Sequence, residues 1–218
     1  MSNRTKRRPA PGKARSGPAT KPGLPVLPLA LGALLLVVVV GIGIAVASEE
    51  DEDDRPAWGP VEAQGTALPT LGDGPDGAVG QPAPRLVGMS PDGDAVTVGD
   101  GPALIAFVAH WCPHCQVEVP ILVDMFEDGA FEDVRLVAVA TDSQRGAKNF
   151  PPARWLDGED WPGDVVLDDE QQTAARAYGI SGYPFLVAVD ADGTVVARTS
   201  GEVPREAVEQ MLATARGQ

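Results

Sequence analysis

The apolar positions of this chain fall into short runs that alternate with amphipathic segments from residue 81 onward. Two nearly continuous apolar runs, residues 103–110 and 134–141, predict strands that are buried on both faces of a sheet. Between them, apolar residues recur at helical spacing over residues 116–128. This strand–helix–strand order predicts two parallel strands joined by a right-handed crossover.

The remaining patterns extend the same alternation of strands and helices. Residues 85–98 and 183–199 predict β-hairpins, because the turn sequences SPDGD and DADG separate β-rich runs in them. The other predicted elements are a strand over 164–168, helices over 169–179 and 204–216, and a short helix within the irregular segment 142–163. This alternation predicts an α/β domain over residues 81–218, with a central sheet between two layers of helices.

A different pattern precedes this domain. Residues 24–47 contain no charge and are long enough to cross the ~30 Å apolar core of a bilayer, so they predict a single transmembrane helix. The alternative is a cleaved signal peptide, since AVA at 45–47 has the small-x-small form of a cleavage site. The Pro-, Gly- and Lys/Arg-rich residues 1–23 predict a disordered basic tail, and the acidic, Gly/Pro-rich residues 48–80 predict a linker.

Charge is distributed unevenly along the chain. The seven basic residues before residue 49 have no acidic counterpart there, whereas the chain from residue 49 onward contains all 31 acidic residues and 10 basic ones. By the positive-inside rule, this distribution predicts a single-pass protein of the cell membrane, with a cytoplasmic N-terminus and an extracytoplasmic domain. The acidic domain argues against a nucleic-acid partner, which requires a basic surface.

Residues 110–115, HWCPHC, hold both cysteines and both histidines of the chain. Three kinds of site are compatible with this cluster: a redox centre, a metal site and a short structural disulfide. A disulfide between Cys112 and Cys115 closes too small a loop to stabilise a fold much, so a purely structural bond is disfavoured. The alternative to a redox centre is a copper-binding, metal-delivery module that uses the soft thiolates, although the second ligand pair of a structural metal site is missing.

The position of the cluster, between a buried strand and a helix, favours redox chemistry. Open backbone N–H groups at the helix start stabilise an anion, so Cys112 is expected to react as a thiolate. Cys115 follows three residues later on the same helical face, where the two sulfurs can meet. His114 adds a hydrogen-bond donor or a positive charge, and Pro113 stiffens the loop. His110 is expected to pack at the end of the strand.

These motifs resemble a known family. The run Trp-Cys-x-x-Cys-x-x-Glu-x-Pro, from Trp111 to Pro120, is similar to the active-site motif of the thioredoxin superfamily, and in particular of the membrane-anchored TlpA/ResA-type thiol–disulfide oxidoreductases. The sequence GISGYPFLVAVDADGTVV, residues 179–196, resembles the second signature of the family, in which a cis-proline, here Pro184, faces the cysteines. The resemblance covers about residues 80–216 and implies a thioredoxin-like three-layer fold with a mixed central sheet.

The resemblance also implies a role for each residue of the site. Cys112 forms a mixed disulfide with a protein substrate, Cys115 resolves it, and Glu118 assists proton transfer. The remaining residues are implied to tune the redox potential or to bind the substrate, namely Pro113 and His114 for tuning, and Trp111, Tyr183 and Pro184 for binding. No cofactor is implied beyond the redox-active Cys112–Cys115 disulfide itself.

The implied partners are protein thiols or disulfides outside the membrane, together with a separate membrane protein that donates or accepts electrons. The direction of exchange stays open at this stage. The dipeptide Pro113–His114 favours an oxidase, because a stabilised thiolate makes the disulfide a stronger oxidant. Glu118 and the family scaffold favour a reductase.

Overall fold

The computed structural model describes residues 55–218, and no helix in that range is long and apolar enough to cross a membrane. The predicted basic tail, residues 1–23, and the predicted transmembrane helix, residues 24–47, lie outside the described residues. In chain order the elements are β1 (Glu62–Gln64), β2 (Arg85–Met89), β3 (Ala95–Val98), β4 (Ala103–Val108), α1 (Cys115–Glu127), β5 (Arg135–Ala140), α2 (Pro152–Gly158), β6 (Asp164–Leu167), α3 (Thr173–Ala177), β7 (Phe185–Val189), β8 (Val195–Ser200) and α4 (Arg205–Ala215).

The central sheet has five strands in the order β6-β5-β4-β7-β8. β4 pairs in parallel with β5, and β5 with β6, whereas β7 is antiparallel to both β4 and β8, so the sheet is mixed. In the β4–β5 pair, Ala103 lies opposite Arg135 and Val108 lies opposite Ala140. β4 is therefore the middle strand, and its carboxyl end leads directly into the segment that contains the two cysteines.

The side chains of β4 alternate between two cores, because successive residues of a strand point to opposite faces of the sheet. Leu104, Ala106 and Val108 pack in a core with α1, α2 and α4. Ile105 and Phe107 pack in a second core with α3 and the antiparallel sheet β1-β2-β3. Both faces of the central sheet are covered, so the predicted three-layer α/β architecture is confirmed. The second layer, however, consists of the short helix α3 and the β1-β2-β3 sheet and not of helices alone.

Residues 55–80 do not form the predicted linker but fold onto the domain. β1 adds a third antiparallel strand beside the predicted hairpin. Leu68 and Ala78 are buried in the second core, and the Leu68 N–H donates to the carbonyl oxygen of Ala177 at 2.8 Å. The predicted domain boundary at residue 81 is therefore wrong, because a few apolar residues spaced by Gly and Pro are enough to fill a core that other elements build.

A buried cation fastens this segment to the central sheet. The side chain of Arg198, on β8, has no solvent exposure and forms an ion pair with Asp76. Its Nε donates to Asp76 Oδ2 at 2.9 Å, and its Nη1 donates to the carbonyl oxygens of Pro69 and Tyr178 at 3.0 and 2.8 Å. The Arg198 guanidinium lowers the pKa of the Asp76 carboxyl, so the pair stays charged at neutral pH.

The helix predicted over residues 169–179 is shorter than expected, because a buried carboxylate takes the place of its first turn. Asp168 accepts the N–H groups of Ala174 and Ala175 at 2.9 and 3.2 Å, and these are among the donors that a helix start leaves unpaired. Asp168 also accepts the hydroxyl of Thr141 at 2.8 Å. The chain therefore becomes helical only at α3, after this cap.

Candidate active site

The two cysteines lie on either side of the start of α1. β4 ends at Val108, and the Cys112 N–H donates to the Ala109 carbonyl at 3.0 Å in the turn that follows. Cys115 is the first residue of α1. Both cysteines are free thiols in this structure, with Cys115 fully buried and Cys112 exposed by 5%. Cys112 is thus the thiol that solvent and a substrate reach more easily.

Burial holds the Cys115 thiol in its protonated form. Its Sγ accepts the N–H of Ala109 at 3.5 Å. Removal from water raises the pKa of Cys115 far above that of a free cysteine, and the neighbouring Cys112 and Glu118 raise it further. Cys115 therefore needs a base before it can act as a nucleophile.

Glu118 lies one helical turn after Cys115 and is fully buried. Its Oε2 accepts the N–H of Val203 at 3.1 Å, while its Oε1 is buried without a hydrogen-bond partner. Burial raises the pKa of the Glu118 carboxyl, and the nearby charge of Glu202 raises it further. A carboxyl whose proton affinity is raised, and which has a free oxygen, is suited to take a proton from a neighbouring thiol.

The loop before β7 covers Cys112. The Tyr183–Pro184 peptide bond is cis, and the Cys112 thiol donates to the Tyr183 carbonyl at 3.6 Å. The Trp111 and Tyr183 rings meet edge to face with their centroids 6.1 Å apart, and Trp111 Nε1 donates to the Asp142 carbonyl at 2.8 Å. The structure thus brings the predicted residues Trp111, Tyr183 and Pro184 to the same side of Cys112.

The two histidines occupy different environments, as the sequence predicts. His110 is buried and holds the loop after β5, because its Nε2 accepts the Gln144 N–H at 3.0 Å while its Nδ1 donates to the Lys148 carbonyl at 2.7 Å. These contacts require the neutral ring, and burial lowers the pKa of His110 accordingly. His114 is exposed instead, and its Nδ1 contacts Glu202 Oε1 at 2.5 Å.

The cysteines and histidines of the cluster therefore do not converge on one point. Within residues 55–218, no group of three or more His, Cys, Asp or Glu side chains is placed to hold a metal ion. A copper site that used all four residues of the cluster would require His110 to free one ring nitrogen, and thus to give up at least one of its loop contacts.

Comparison with known proteins places this site in a family. The model of the family described as Redoxin matches residues 78–214. The chain belongs to the redoxin family. It is 26% identical over 138 residues to the thiol-disulfide oxidoreductase ResA of Bacillus anthracis, a match that covers 62% of this chain and 76% of that protein. The domain is thus a thioredoxin-like oxidoreductase.

Solved structures agree with the fold of this redoxin. A putative thiol:disulfide interchange protein DsbE from Chlorobium tepidum matches with a TM-score of 0.54 and 26% identity, over 63% of this chain and 96% of that one. A thioredoxin-family thiol:disulfide interchange protein from Chlorobium tepidum TLS matches with a TM-score of 0.52 and 22% identity, over 69% and 99%. The second similarity concerns the fold alone.

The sequence did not predict one part of the redoxin site, the turn that follows β8. Glu202 contacts His114, 88 residues away in the sequence, and Val203 contacts Glu118, 85 residues away. No motif marks these two positions, because only the packing of β8 and α4 brings them to the cysteines. A glycine with a positive φ of 89°, Gly201, opens this turn and is the one local signal for it.

Proposed function

We propose that this redoxin exchanges disulfides with protein substrates through Cys112 and Cys115, with Glu118 as the proton acceptor. One observation carries this proposal. The more accessible thiol, Cys112, lies under the Tyr183 carbonyl, while the buried thiol of Cys115 lies beside a buried carboxyl that has one free oxygen. The attacking and resolving functions are thereby divided between the two thiols.

In the first step of substrate reduction, the Cys112 thiolate attacks one sulfur of a substrate disulfide. The S–S bond of the substrate breaks, a new S–S bond joins Cys112 to the substrate, and the other substrate sulfur leaves as a thiolate, which takes up a proton from solvent. Cys112 suits this role because it is the more accessible of the two thiols, 5% exposed against 0% for Cys115.

In the second step, Cys115 gives its proton to Glu118 and attacks the Cys112 sulfur. The mixed disulfide breaks, the Cys112–Cys115 disulfide forms, and the second substrate sulfur leaves as a thiolate, which takes up a proton from solvent. Two electrons have then passed from the protein to the substrate. Substrate oxidation is the same sequence in reverse, with Glu118 returning the proton to Cys115.

The loop before β7 supplies the substrate contacts. An extended peptide can add beside the Tyr183–Pro184 segment by strand-like hydrogen bonds, as in other cases of strand addition. The Trp111 and Tyr183 rings form an aromatic wall next to Cys112. The bulk of Tyr183 restricts the side chains that a substrate can carry next to its reacting cysteine.

A Cys115→Ser variant tests this division of roles. It retains the attacking thiol but lacks the resolving one, so mixed disulfides with substrates should accumulate in cells and appear as high-molecular-weight adducts on non-reducing gels. The matched control is Cys112→Ser, which lacks the attacking thiol and should form no such adducts. Equal adducts in both variants, or none in either, would contradict the proposal.

We further propose that the domain works outside the cell membrane, with protein thiols or disulfides and a membrane electron donor or acceptor as partners. The uncharged run 24–47, with basic residues before it, supports this orientation. Protease added to intact protoplasts should then digest the domain and spare a tag placed at the N-terminus. Digestion of the tag would contradict this orientation.

The preferred direction of exchange follows from the loop between the cysteines. His114 lies between the two cysteines in the sequence and its ring is exposed, and a hydrogen-bond donor or cation close to a redox-active cysteine pair favours the dithiol form. This favours transfer of the disulfide from the protein to its substrates, and therefore an oxidising function.

A further inference from the structure

The turn Gly201–Val203 touches three separate parts of the redox centre with three consecutive residues. The Gly201 N–H donates to the Pro184 carbonyl at 2.8 Å, and the Val203 N–H donates to Glu118 Oε2 at 3.1 Å. Between them, Glu202 contacts the His114 ring. The loop before β7, the segment between the cysteines and the buried acid are therefore all held by one turn.

The Glu202 contact fixes the proton on the His114 ring. A carboxylate oxygen only accepts, so Nδ1 of His114 carries the hydrogen of this contact. The side chains of His114 and Glu202 are 66% and 42% exposed, so this pair contributes little to folding. The pair instead fixes the position of the His114 ring.

The same carboxylate acts on the proton acceptor of the site. Glu118 faces Cys115 on its own helix and Glu202 on the turn, and the negative charge of Glu202 adds to burial in raising the pKa of Glu118. The cationic residue nearest to Glu202 along the chain is Arg205, but Arg205 forms its ion pairs with Asp128 and Glu209.

We propose that Glu202 is a positioning residue of the redox centre, which holds His114 next to the cysteines and places a negative charge near Glu118. The proposal rests on the exchange reaction proposed above. Glu202 touches neither the reacting sulfurs nor a substrate, and acts through the two residues that do the chemistry.

A Glu202→Gln variant separates the charge from the contact, because glutamine can still accept the His114 hydrogen. Without the negative charge, Glu118 gives up its proton more readily and accepts the Cys115 proton at lower pH. The expected result is a pH profile whose acid side moves to lower pH, with resolution at acidic pH at least about twofold faster than in the wild type. The measurement uses the full chain, reduced, with saturating glutathione disulfide, so that attack by Cys115 limits the rate.

Two further variants give this experiment its controls. Glu206→Gln removes an equal charge from the first turn of α4, four residues on, and should leave the profile unchanged. In a Glu118→Gln background, the gain from Glu202→Gln should disappear, because the group through which it acts is gone.

The outcomes distinguish a failure of the exchange reaction from a failure of the role of Glu202. A wild type that releases no glutathione at any pH would overturn the proposed function itself. A wild type that is active, with equal profiles for Glu202→Gln and Glu206→Gln, would overturn the role of Glu202 alone. If Glu202→Gln still accelerated resolution at acidic pH in the Glu118→Gln background, the role of Glu202 would likewise be contradicted.

Discussion

Replacing Glu118 with glutamine should slow the formation of the Cys112–Cys115 disulfide about 10²- to 10⁴-fold, the usual effect of removing a general base. Glutamine preserves the shape of the side chain and can still accept the Val203 N–H, but it cannot take the proton of Cys115. Because the raised pKa of Cys115 leaves almost no thiolate, the loss falls on the second step of exchange. Single-turnover oxidation by glutathione disulfide measures it.

The control for this variant is Glu127→Gln, which removes an exposed charge from the far end of the same helix. It should leave the rate unchanged. An equal rate in Glu118→Gln and the wild type would show that another group takes the proton.

The Glu118→Gln substitution should also change how the free energy of unfolding depends on pH. The pKa of Glu118 is higher in the folded chain than in the unfolded one, so its contribution to stability is complete below the unfolded-state pKa. That contribution is lost as the pH rises through the folded-state pKa, when a buried carboxylate with an unpartnered oxygen must form. Relative to the wild type, Glu118→Gln should therefore become more stable as the pH rises through that range.

Replacing Arg198 with alanine should reduce the free energy of unfolding by about 3–5 kcal/mol, the usual cost of breaking a buried ion pair. The Asp76 carboxylate would lose its cation, and the carbonyl oxygens of Pro69 and Tyr178 would lose a donor. Denaturant titration measures the loss, and hydrogen exchange should show faster opening of residues 68–80.

A matched control for this prediction is Arg205→Ala. Arg205 also forms two ion pairs, with Asp128 and Glu209, but it lies at the surface, where such pairs contribute little to stability. If both variants lost equal stability, the buried ion pair would not be what fastens the N-terminal segment.

The central part of the fold could be predicted from the sequence because its signals are local. The continuous apolar runs around β4 and β5 indicate strands buried on both faces, and the three-residue spacing from Cys115 to Glu118 places both on one face of a helix. The role of residues 55–80 could not be predicted in this way. Their Gly/Pro-rich sequence is typical of a linker, and the partners that bury Leu68 and Asp76 belong to distant strands and helices.

The same limit applies within the site. The sequence places Glu118 beside Cys115, but its burial and its free oxygen depend on the turn after β8. Glu202 has no motif, and its contact with His114 spans 88 residues. Distant contacts of this kind decide how strongly a carboxyl holds its proton, and a local pattern contains no information about them.

A redox titration shows whether Cys112 and Cys115 act as one redox couple. The full chain is equilibrated in glutathione buffers of graded potential, and its free thiols are counted by alkylation and mass spectrometry. Both thiols should disappear together in a single two-electron transition, in which the dithiol-to-disulfide ratio changes tenfold for every ~30 mV of potential. A midpoint well above that of thioredoxin, about −270 mV, agrees with an oxidising function. Two thiols that remain separately alkylated at every potential would contradict the account.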